Sequence, residues 1–95
     1  MRKSTQAIII ALLSSRHISA IAVPRKWKNT IKMSFIDPTR FYIDSISVHC
    51  ITLRNTETNM LIDGVINLND LDGSQLFEVQ CAVENLLYAK KLNLY

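Results

Sequence analysis

The pattern of apolar and polar positions is most regular in the last quarter of the chain. At about 100° per residue, Leu76, Val79, Ala82, Val83, Leu86 and Leu87 fall on one face of a helix over Asp72–Tyr95. Phe77, Cys81, Tyr88 and Leu92 fall on roughly the opposite face. Gln80, Glu84 and Lys91 divide the two stripes on one side, and Glu78 and Asn85 on the other. A surface helix needs only one apolar stripe, so the second requires cover from the rest of the chain or from a partner. Asp72 with Gln75 three residues later matches a capping box, in which the carboxylate accepts first-turn N–H groups. Asp70, Asp72 and Glu78 lie near the positive end of the helix dipole, and Lys90 and Lys91 near its negative end. A helix from Gly73 to Leu92 is about 30 Å long.

Upstream, the period changes from helical to alternating. Phe41 to Arg54 is rich in β-branched and aromatic residues, with Ile46, Val48 and Cys50 alternating against Ser45, Ser47 and His49, the signature of a half-buried strand. The alternation slips at Cys50-Ile51, which predicts a bulge or a two-sided strand. Asn55-Thr56-Glu57-Thr58-Asn59 reads as a turn. Met60 to Leu68 reads as a second strand, with Ile62, Ile66 and Leu68 on one face and a mid-strand Gly64 that signals a bulge or close backbone approach. The short connection makes the two strands an antiparallel hairpin spanning Phe41–Leu68. A hairpin and one helix are marginal alone, so further strands or a partner are expected.

The front of the chain is less decisive. Ala7–Leu13 is a continuous apolar run that periodicity cannot assign to helix or strand; Ser4 or Thr5 would cap a short helix there. Ile18–Val23 is a second apolar stretch, closed by Pro24. Lys28–Ile36 alternates Thr30, Lys32 and Ser34 against Ile31, Met33 and Phe35, a candidate strand that ends at the Asp37-Pro38 turn. The expected fold is α+β: a small antiparallel sheet of three or four strands packed against one long C-terminal helix, with a short N-terminal helix. Residues 1–95 make one small domain, in which 1–32 is an ambiguous apolar and basic segment and 33–95 a coherent hairpin-plus-helix unit.

Composition agrees with a folded chain: 48% hydrophobic, with two Gly and two Pro in 95 residues, which excludes a disordered tract. No stretch approaches the roughly 18–20 apolar residues of a membrane span. The net charge of +3 hides an asymmetry, +7 up to Arg40 and −4 from Phe41 onward. That asymmetry bears on partners rather than fold. Residues 1–22 also carry the layout of a secretory signal, with Arg2-Lys3, an apolar Ala7–Leu13 and Ala20-Ile21-Ala22 as the small-x-small site. The apolar core is at the short limit and Ser14-Ser15-Arg16-His17 interrupts the path to the cleavage site. A buried N-terminal element in a cytoplasmic protein is the primary reading and export the alternative; Met33 is an alternative start.

Candidate chemistry is sparse. Cys50 and Cys81 are too few for a disulfide framework and match no zinc or redox spacing. They read as two buried thiols, or as one bridge if the chain is exported. His49 and Cys50 are adjacent on a strand and point to opposite faces, so they form no nucleophile–base pair. Asp63, Asp70 and Asp72 are accounted for by strand exposure and helix capping rather than by a metal. The sequence therefore predicts no enzyme, no cofactor and no metal. The primary expectation is a small interaction or regulatory protein that contacts a protein partner or itself, as a homodimer, through Phe77, Cys81, Tyr88 and Leu92. The rival expectation is nucleic-acid binding through Arg25, Lys26, Trp27, Lys28 and Lys32, where cations interleaved with an aromatic suit phosphates and bases.

Overall fold

The computed structural model describes residues 2–95, with side chains from Thr5 onward. The chain forms α1 (Arg2–Ser14), β1 (Ala20–Ala22), β2 (Phe41–Ser47), β3 (Cys50–Asn55), β4 (Leu61–Asn67) and α2 (Gly73–Lys91). Single 3-10 turns lie at Arg25–Trp27 and Leu68–Asp70. The four strands make one antiparallel sheet in chain order, so the fold is α+β, with a short N-terminal and a long C-terminal helix. Among the described residues, no helix is long and apolar enough to cross a membrane.

Cross-strand register explains which sheet face is buried. Ile21, Ile46, Ile51 and Ile66 pair in a row across all four strands, and the first three are almost wholly inaccessible. Because side chains alternate across a strand, the neighbouring row of Ala22, Ser45, Thr52 and Val65 faces the other way. Ala22 and Val65 are exposed there, and the Ser45 and Thr52 hydroxyls bond each other at 2.7 Å. The isoleucine row joins Ile9 and Leu13 of α1 and Leu76, Val79, Val83 and Leu86 of α2 in one core cluster. Both helices thus draw on the same core, and α1 packs along α2.

Two bulges adjust the strands. Ile43 pairs with Leu53 and Ser45 with Thr52, leaving Asp44 as an extra residue in β2. Between the Thr52–Val65 and Arg54–Leu61 pairs, Leu53 stands opposite Ile62, Asp63 and Gly64. Gly64 has φ 143°, a conformation that side-chain-bearing residues rarely adopt. The mid-strand glycine is therefore a bulge residue, as its position predicts.

Three local expectations change. Phe41–Arg54 is two strands, not one: the slip at Cys50-Ile51 is a chain reversal. The Ser47 Oγ accepts from the His49 and Cys50 backbone N–H groups at 3.1 and 2.9 Å and fastens that turn. Lys28–Ile36 is not a strand; its alternation survives only as alternating burial, with Ile31 and Met33 inside and Lys32 and Ser34 outside. The fourth strand is Ala20–Ala22, whose small residues on the outward face flank Ile21. Ser4 and Thr5, read as caps, lie within α1 (Arg2–Ser14) rather than before its first residue. The Asn55–Asn59 turn forms as read: Asn55 Oδ1 accepts from Glu57 and Thr58 N–H, and Asn59 takes φ 62°.

Candidate docking face

The start of α2 is held by the capping box read from the sequence. Asp72 accepts from Gln75 N–H at 2.8 Å, and the Gln75 side chain accepts from Asp72 N–H at 3.0 Å. Its end is a Schellman motif: Asn93 N–H donates to Lys90 C=O and Leu94 N–H to Ala89 C=O, with Asn93 at φ 59°. Leu92 is thus the C-cap rather than part of the helix. The chain then folds back, and the Tyr95 hydroxyl donates to the Ala22 carbonyl while the Lys90 ammonium lies 5.0 Å from the Tyr95 ring centre. Burial pushes the Tyr95 hydroxyl to a higher pKa than an ordinary tyrosine.

Between these ends the two stripes have different fates. Leu76, Val79, Ala82, Val83, Leu86 and Leu87 are buried. Phe77, Tyr88 and Leu92 keep 57%, 62% and 46% of their surface, and Leu94 extends the apolar patch at 51%. Cys81 is half-buried and unpaired, as is Cys50. The front segment does not cover the second stripe: Ile9 and Leu13 enter the core beside the first stripe, while Ile8 and Ile10 stay exposed.

What borders the second stripe is Trp27 together with residues of the Lys28–Ile36 segment, which the sequence read as a strand. Its Ser34 donates to the Glu78 carboxylate through backbone N–H at 2.7 Å and through Oγ at 2.6 Å. Glu78, read as a divider between stripes and as an acid near the positive end of the helix dipole, is also a latch that holds this segment along the helix. Shallow grooves run between the two, with Thr30 and Ile31 on one wall and Phe77, Cys81, Asn85 and Tyr88 on the other. No sequence signal marks that latch, because Ser34 and Glu78 are 44 residues apart.

The basic set is divided: Lys28 and Lys32 border one cleft, while Arg25 borders another. Arg25 and Lys26 are exposed on the 3-10 turn, and Arg25 borders a depression with Asp44, Arg54 and Asn59. Asp44 holds the Arg54 guanidinium at 2.6 Å. The Lys28 ammonium sits 5.3 Å from the Tyr42 ring centre, and Lys32 is exposed. Trp27 is half-buried against the core, and its indole Nε1 is enclosed without a hydrogen-bond partner.

His17 and His49 are both exposed. His17, at φ 58°, ends the α1 turn. Among the described residues, no three His, Cys, Asp or Glu side chains gather where they would hold a metal ion. Comparison with protein-family models, curated proteins and solved structures returned no match.

Proposed function

We propose that this chain is a non-enzymatic interaction protein that pairs with a second copy of itself through the exposed face of α2. The observation that carries this reading is the uncovered stripe of Phe77, Tyr88 and Leu92 beside half-buried Cys81. Aromatic anchors on an otherwise polar surface mark interface centres.

The stripe is also self-complementary. A two-fold axis level with the midpoint between Glu84 and Asn85 sets Phe77 at the height of the partner's Leu92 and Cys81 at the height of the partner's Tyr88. Large residues then meet smaller ones, and the contact is isologous, as closed dimers require. In the same arrangement Glu78 comes level with Lys91 of the second copy, with the two helix dipoles opposed. From Phe77 to Leu92 the seam is roughly 22 Å long.

Light scattering tests the proposal. The wild-type chain is expected to show twice its 10.8 kDa mass, and Phe77→Ser/Tyr88→Ser to show the single-chain mass with an unchanged circular dichroism spectrum. Glu84→Cys, beside the axis, is expected to give a disulfide-linked dimer under mild oxidation. A monomeric wild type, or a dimer that survives the double substitution, overturns the reading. The nucleic-acid alternative makes an opposite demand: affinity that falls steeply with salt and with neutralisation of Lys26 and Lys28.

A further inference from the structure

A second cleft, sharing Ile31 and Lys32 with the groove beside the α2 stripe, lies against β2 on the other side of the Lys28–Ile36 segment. Here the segment stands off β2 and encloses a cleft of about 270 Å³. Its floor is apolar: Ile31, Met33, Ile36 and Ile43 all line it and all are buried. Phe41 and Tyr42 form an aromatic wall. The Tyr42 hydroxyl donates to Asn59 Oδ1 at 3.0 Å, which fixes that ring in place.

The mouth is cationic. Lys28 and Lys32 border it, and among the described residues no carboxylate lines it. The ion pair among those residues is Arg54–Asp44, elsewhere on the sheet. Asp37, the acid nearest in sequence, is not in the lining; its carboxylate accepts from Thr39 Oγ1 at 2.6 Å and Thr39 N–H at 2.9 Å. Arg40, outside the lining, stacks 5.2 Å from the Phe41 ring centre, and its charge is offset by the nearby Asp37 carboxylate. An apolar, aromatic-walled pocket with a few convergent polar groups is the usual form of a small-ligand site, and its size is near the lower end of such pockets.

We propose that this cleft binds a small amphipathic anion: a flat apolar body on the Ile31–Met33–Ile36 floor, with one acidic group held by Lys28 and Lys32. The apolar floor selects against a bare inorganic anion, and the uncompensated ammonium groups select against a neutral body of the same shape. Each half of the ligand therefore answers to a different half of the site.

The test uses the full-length ¹⁵N-labelled chain, titrated with 2-naphthoate, with its neutral isostere 2-naphthamide and with inorganic phosphate, and followed by amide chemical shifts. Naphthoate is expected to shift Ile31, Met33, Phe41 and Thr56 and to bind at least tenfold more tightly than naphthamide. Lys28→Gln/Lys32→Gln is expected to erase that difference, and its spectrum reports whether it remains folded. If the double variant does not fold, the comparison of naphthoate with naphthamide on the wild type decides alone. Equal binding of the two compounds, shifts confined to Phe77–Leu92, or the same shifts from phosphate alone would each overturn the assignment.

Discussion

Leu13→Ala separates a docked α1 from an appended one. Leu13 has no exposed surface and belongs to the core cluster shared by both helices and the sheet. Removing three carbon groups forfeits roughly 2–2.5 kcal/mol of transfer free energy at ~0.8 kcal/mol per group. The unfilled cavity raises the total to about 2–5 kcal/mol. A chain of this length has on the order of 5–14 kcal/mol of stability in all, so the variant is expected to fold and to melt early. At about 4–8 °C per kcal/mol, the midpoint should fall by roughly 8–40 °C, followed by circular dichroism during heating. The matched control is Ile8→Ala on the same helix. Ile8 is 43% exposed, and alanine is the better helix former, so the change should stay below about 1 kcal/mol. If Leu13→Ala moves the midpoint no further than Ile8→Ala, α1 does not hold the core as described. The same experiment bears on the signal-like pattern of residues 1–22. Cleavage after Ala22 would strip Ile9, Leu13 and Ile21 from the core cluster, leaving part of the first α2 stripe bare.

Two further predictions concern the ends of α2. Asp72→Ala removes the N-cap acceptor of Gln75 N–H and should destabilise the protein by about 0.5–2 kcal/mol in urea unfolding. Asp72→Asn retains a capping oxygen and should recover most of that loss; an equal loss would show that charge, rather than the hydrogen bond, sets the effect. Tyr95→Phe deletes the bond to the Ala22 carbonyl, worth about 0.5–1.5 kcal/mol. Burial raises the Tyr95 pKa in the folded state, so the folded protein holds that proton more tightly than the unfolded chain does. Its contribution is intact below the unfolded value near about 10 and is lost as pH rises through the folded one. Urea midpoints at neutral and alkaline pH should therefore fall less for Tyr95→Phe than for the wild type, and an equally steep fall would assign the alkaline loss to other groups.

Local signals in the sequence were sufficient where one residue acts on its near neighbours. The Asp72–Gln75 box, the Asn55 turn and the Gly64 bulge each involve groups within a few positions, so their chemistry is written in the spacing. The strands were harder. Ser47-Val48-His49-Cys50 reverses direction through a serine-fastened turn that contains neither glycine nor proline, and the alternation on both sides looks like one strand with a slip. Lys28–Ile36 shows the converse error. Its two-residue period records real alternating burial, but a loop pressed against a core satisfies the same period without ladder hydrogen bonds. Strand β1 has only three residues, two of them alanine, and gains its identity from pairing with Ser45–Ser47, a long-range contact that no local window contains. The cleft at Lys28 and Lys32 was invisible for the same reason: it exists only because the misread segment leaves the sheet.

The two stripes of α2 show where periodicity stops being informative. Leu76 and Phe77 are adjacent and both strongly apolar, yet one is fully buried and the other 57% exposed. Nothing intrinsic to either residue decides this; α1 and the isoleucine face of the sheet share one core with the first stripe and not the second. Ile9 and Leu13 reach the core from the side of the first stripe, and the Ser34–Glu78 latch occupies one margin of the second. The loop fills that margin without closing over the face, since Phe77 and Tyr88 remain more than half accessible beside it. Any partner of the stripe must therefore arrive from outside and lie along the helix beside a loop already anchored there. On the proposed pairing, a second α2 would lie antiparallel across that opening, its N-terminal end beside the C-terminal end of the first.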